Sequence, residues 1–130
     1  MSTREVIRTD AAPAAAGPYS QAIRAGDLVF TAGQLGLDPA TGEFSGDDVG
    51  TQAERALANL AAVLDAAGSG MDRLVKVTVL LADIGDWPAV NEVYARLIPE
   101  PFPARSAFAV EDLPRGARVE IEAVAMVSAP

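Results

Sequence analysis

Three short stretches of the chain carry side chains suited to chemistry. Gly17-Pro18-Tyr19-Ser20-Gln21 sets a phenol and an amide on a turn just ahead of a strand-like segment. Pro103-Ala104-Arg105-Ser106 puts a guanidinium at the start of a segment that otherwise reads as a buried strand. Arg118-Val119-Glu120-Ile121-Glu122 holds two carboxylates two residues apart, hence on one face of a strand. Each stretch has a plain structural reading: a packed tyrosine on a tight turn, a surface or salt-bridged arginine, and a solvated acidic face. Each also has a chemical one. Arginine is a planar fork for a carboxylate, and a carboxylate beside the reacting group is a general acid or base. Val124 and Met126 continue the face of Glu120 and Glu122, which argues for partial shielding of the two acids.

The chain contains neither Cys nor His. This removes thiol nucleophiles, disulfides, Cys/His zinc sites, Ser-His-Asp triads and imidazole acid–base pairs together. Asp38, Asp47 and Asp48 fall among turn residues without the spacing of a calcium loop, so no metal is expected. No Gly-rich phosphate loop or dinucleotide fingerprint is present. Lys76, the single lysine, reads as a solvent-facing or ion-paired strand residue rather than a Schiff-base lysine. A net charge of −8 with scattered arginines argues against nucleic-acid partners. No secretory signal or membrane-spanning run is read, and a cytoplasmic location is expected.

The elements that must position these residues follow from periodicity. The 130 residues are read as one domain, residues 1–130. Val6-Ile7 opens a short apolar stretch, followed by an Ala/Pro turn region. Ala22–Ala25, the Gly26-Asp27 turn and Leu28–Ala32 form a hairpin. Gly33 follows it, where the backbone can approach another group closely. Ala53, Leu57, Leu60, Leu64 and Ala67 mark a helix capped by Asp48 and ended by Gly68, with Gln52, Glu54, Arg55, Asn59 and Asp65 on its other side. Leu74–Leu81 is a strand. A second helix starts near Asp86 as N-cap, with Trp87, Val90, Tyr94 and Leu97 as its inner stripe. Ala104–Val110 and Val119–Val127 are the last strands. The result is an α+β protein, a mixed sheet with two helices on one face. Because the strands are apolar on both faces, another subunit is expected to cover the second.

Taken in order, these stretches resemble the Rid/YjgF/L-PSP family of enamine/imine deaminases. The match runs through Gly17–Ile23, Ala32-Gly33-Gln34, Asp38–Glu43, Gln52–Leu60, Val75–Val79, Val90–Tyr94, Pro103–Ser106 and Leu113–Glu122. The resemblance implies a chorismate-mutase-like fold and a homotrimer with clefts between subunits. It also implies hydrolysis of reactive 2-imino acids to 2-keto acids and ammonia, without metal or cofactor. Arg105 would hold the substrate carboxylate and Glu120 would activate water. Tyr19, Gly33, Asn91 and the backbone at Ala107 would shape the cleft. A protonated imine carbon is already electrophilic, so an anion clamp and one base suffice. The chain departs from the pattern at Ala107, where many members have Cys, at Ala32 in place of Ser, and in an Ile98–Phe102 segment that reads as short. An endoribonuclease and a non-catalytic small-carboxylate-binding trimer are the alternative readings.

Overall fold

Backbone pairing begins earlier than the apolar pattern indicates. β1 (Arg4–Ile7) runs antiparallel to β2 (Ala22–Ala25), with Val6 opposite Ile23. Three of its four residues are exposed, so the strand exists by pairing rather than by a hydrophobic face. β2 turns into β3 (Leu28–Thr31) through Gly26, whose φ of 62° is a left-handed conformation that a Cβ opposes. The computed structural model describes residues 3–128. The remaining strands are β4 (Leu74–Leu81), β5 (Ala104–Ala109) and β6 (Val119–Met126). They form one six-stranded sheet in the order β1-β2-β3-β6-β4-β5. Only β4–β5 is parallel; every other pair is antiparallel. The expected order β-β-α-β-α-β-β therefore gains a first strand.

Two helices lie on one face. α1 (Val49–Ala66) starts where Asp48 accepts a hydrogen bond from the Thr51 amide at 2.9 Å, as its cap position predicts. It ends at Gly68, whose φ of 78° lets the Ser69 amide return to the Leu64 carbonyl at 2.8 Å. α2 (Trp87–Leu97) does begin after Asp86, but that side chain does not cap it. The Asp86 carboxylate instead pairs with Arg118 at 3.2 Å. The inner stripe of α2 is Val90, Val93 and Tyr94; Leu97 is 38% exposed, because Ile98, at the chain's exit from the helix, fills the core position instead. No helix of the described residues is long and apolar enough to cross a membrane.

The core lies between sheet and helices. Leu57, Leu60 and Leu64 of α1 meet Val77, Val79 and Leu81 of β4 and Val119 and Ile121 of β6, all fully buried. Strand alternation sends Lys76, Thr78 and Leu80, with Glu120, Glu122, Val124 and Met126, to the open face. A bulge between Leu74 and Lys76 resets β4 by one residue, so Leu74 packs on the core and Val75 is exposed. Val75 thus does not share the face of Val77 and Val79, as unbroken alternation implies. β5, read as buried, is an edge strand with four of six residues exposed.

Candidate active site

Edge position and strand parity decide where Arg105 points. It lies opposite Val77 across a parallel ladder, so its side chain leaves the helix-covered face. There α2 receives it. Asn91 Oδ1 accepts a hydrogen bond from Arg105 Nη1 at 2.8 Å. The guanidinium carbon stands 4.4 Å from the Trp87 ring centroid and 4.7 Å from that of Tyr94. Ala107, two residues along, lies opposite Val79 and packs its methyl on the core. The Val110 amide bonds back to Leu81 on β4, so by alternation the N–H and C=O of Arg105 and Ala107 face outward from the sheet edge. The backbone at Ala107 is thereby open to a ligand, whatever side chain stands there.

Glu120 sits elsewhere. It is the second residue of β6, half-buried on the open face, and Gly33 is pressed against it. A Cβ added to Gly33 would come within 2.7 Å of Glu120 Cδ and 2.9 Å of Cγ. Reciprocal backbone bonds between Gln34 and Ile121, 2.8 and 3.0 Å, fix this approach. Glycine is needed here for space. Burial, and then the charge of Glu122, push the Glu120 carboxyl above the ordinary carboxylate range. Such a group exchanges protons nearer neutrality than a free carboxylate, which suits a general base. The start of β6 is braced from α1: Gln52 Oε1 accepts from the Arg118 amide at 2.9 Å.

Tyr19 stands near the same end of the sheet, since the Gln21 carbonyl accepts from the Ala32 amide at 2.9 Å. It is 54% exposed and so is not the packed tyrosine of the plain reading. It borders a recess of about 240 Å³ shared with Arg8, Asp10 and Gln21.

The candidate residues thus fall into two groups. Arg105, Asn91 and Ala107 gather at the β5 edge; Glu120, Gly33 and Tyr19 gather at one end of β2, β3 and β6. From Arg105 the ladder crosses Val77 to Ala123, three residues along β6 from Glu120. At ordinary strand spacing and rise their Cα atoms are about 14 Å apart, and the side chains leave opposite faces. The carboxylate carbon of an imino acid is bonded directly to its imine carbon. One chain therefore does not bring Arg105 and Glu120 onto one such molecule.

Two supporting residues escape the sequence reading. Gln52 and Asn59, placed on the outer side of α1, are buried at 4% and 0% exposure. Asn59 Nδ2 donates to the carbonyls of Leu35 and Leu37 at 3.0 and 2.9 Å, anchoring the segment that follows Gly33. Their spacing of seven, two helical turns, was the available signal for a shared polar face under a loop.

The chain matches the family model described as Endoribonuclease L-PSP over residues 9–127. It is 53% identical to the RutC family protein y4sK of Sinorhizobium fredii, over 92% of this chain and 95% of that protein. It is 50% identical to a 2-iminobutanoate/2-iminopropanoate deaminase of Capra hircus, over 95% of this chain and 90% of that one. The crystal structure of E. coli TdcF with bound serine superimposes with a TM-score of 0.91 at 39% identity, covering 95% of this chain and 99% of that one. Sequence and fold agree over almost the whole length, and the chain belongs to the Rid/YjgF/L-PSP family.

Proposed function

We propose that this protein hydrolyses 2-imino acids to 2-keto acids and ammonia, in clefts that each take Arg105 from one subunit and Glu120 from another. The single observation that carries the site is the close approach of Gly33 to Glu120, a half-buried carboxyl of raised proton affinity at the end of the sheet. The names of relatives at about 50% identity support the substrate class. The separation of Arg105 and Glu120 within one chain supports a shared cleft, and the family likeness supports a homotrimer.

The chemistry then needs few parts. Arg105 binds the substrate carboxylate through its free N–H edge, with Asn91 steadying the guanidinium and the outward backbone at Ala107 lining the wall. Tyr19 closes the side next to Gly33. Glu120 takes a proton from water as the oxygen bonds to the iminium carbon. The carbinolamine that forms takes that proton on nitrogen from the protonated Glu120, ammonia leaves as the carbinol oxygen closes the C=O, and the hydroxyl proton goes with the departing ammonia. Iminium and water in, keto acid and ammonium out, and the carboxylate is unchanged. General-base help of about 10²–10⁴-fold and fixed orientation account for the acceleration.

The test generates 2-iminobutanoate in situ with an amino-acid oxidase and follows its loss. The protein is expected to accelerate that loss and Glu120→Gln to abolish the gain, while 2-oxobutanoate still binds. No acceleration by assembled wild-type protein would remove the reading. RNA incubated with the same preparation is expected to remain intact, as a net charge of −8 repels a polyanion.

A further inference from the structure

The Arg105 guanidinium is held without a counter-ion. Among the described residues no carboxylate lies within salt-bridge distance of it. Its partners are instead Trp87, Asn91 and Tyr94, spaced four and three apart on α2 and so on one helix face. The guanidinium carbon stands over both rings, 4.4 Å from the Trp87 centroid and 4.7 Å from that of Tyr94. Asn91, in the middle, takes one N–H of Nη1. Tyr94 is only 3% exposed, and Phe102 backs its ring at 6.5 Å between centroids. Burial raises the proton affinity of its hydroxyl and the neighbouring Arg105 charge opposes that rise, so ring and oxygen both stand against the guanidinium.

Resting on the reading above, we propose that Trp87 and Tyr94 are positioning residues that hold the Arg105 guanidinium edge-on, and that the Trp87 stack sets affinity for the substrate carboxylate. Two rings packed against the guanidinium leave its N–H edges for a ligand, the approach a bidentate carboxylate requires. They stabilise the positive charge through their π faces without occupying any donor. An aspartate in their place would hold the arginine equally firmly but would have to be displaced by every substrate.

The test compares Trp87→Leu and Trp87→Phe in assembled protein. The first readout is a 2-oxobutanoate titration followed at the Arg105 Nε–H resonance, which ring currents shift upfield. The second is KM against kcat for imine loss. Trp87→Leu is expected to weaken keto-acid binding and raise KM about tenfold, with kcat little changed and the Nε–H signal moved downfield. Trp87→Phe is expected to restore all three. Should Trp87→Leu melt early, Trp87→Met carries the same comparison. Native keto-acid affinity in a folded Trp87→Leu or Trp87→Met protein overturns the proposal. So does a Trp87→Phe protein that binds as weakly as Trp87→Leu. Wild-type protein that binds 2-oxobutanoate but turns over no imine sinks the hydrolase reading alone, since the binding comparison still stands.

Discussion

The two faces of the sheet treat their functional charges in opposite ways. On the helix-covered side, Arg105 lies against two aromatic rings with one amide oxygen for company and no carboxylate of the described residues in reach. On the open side, Glu120 is crowded by the backbone at Gly33 and faces a like charge at Glu122. The arginine is kept charged and unpaired, ready for an anion. The carboxyl is denied a cation, and its hold on a proton rises. Each face withholds the partner that would quench its group, and in the proposed reading two copies make the complete site.

The sharpest way to break this comparison is to mix damaged subunits. Arg105→Lys and Glu120→Gln proteins are each expected to lose about 100-fold or more in turnover. If refolded together in equal amounts, a trimer containing both kinds carries one intact cleft. Random assembly then restores about a quarter of wild-type activity. No recovery on mixing would place both groups in one chain's site.

A smaller effect is expected from Gly33→Ala, which tests the open face alone. The methyl must displace Glu120 or the β3 end, at a cost of about 1–3 kcal/mol. Thermal melting should fall and turnover drop about tenfold or more, while keto-acid binding at Arg105 persists. Unchanged turnover would mean that Glu120 need not be held where it is.

The finest test is the pH profile. Turnover should rise with pH as Glu120 loses its proton, over a range above that of an ordinary carboxylate. Glu122→Gln removes the lesser cause of the shift and should move this limb to lower pH; burial, the larger cause, keeps it above the ordinary range. The sign for stability follows. A carboxyl with raised pKa in the folded state binds its proton more tightly there than in the unfolded chain. Its contribution is full below the unfolded pKa and is lost as pH rises through the folded one. Melting of wild type relative to Glu120→Gln should therefore improve on acidification. An identical pH dependence in the two proteins would remove the assigned shift.

The helices, the hairpin and the order of the later strands were legible because each has a periodic apolar face or a turn residue with one conformational option. Glu120 and Glu122 sharing the open face was legible for the same reason. β1 was not, since Arg4–Ile7 is made a strand by its neighbour. The burial of Gln52 and Asn59 was hidden because an amide satisfied by loop carbonyls looks, in sequence, like an amide satisfied by water. Asp86 sat at a cap position but was claimed by Arg118, thirty-two residues away. The opposite facing of Arg105 and Glu120 depends on the β4–β5 ladder register, which no local pattern encodes. Chemistry could be read from residue types; its division between two faces could not.

The outward N–H and C=O groups at Arg105 and Ala107 have a consequence for the newly made chain. Until a ligand or another copy meets them, they are an unpaired sheet margin, and β1 offers a second at the far side. Dilution then becomes a hazard. A lone protomer carries two templates on which foreign strands can add, so dilution bears on its solubility and not only on its activity.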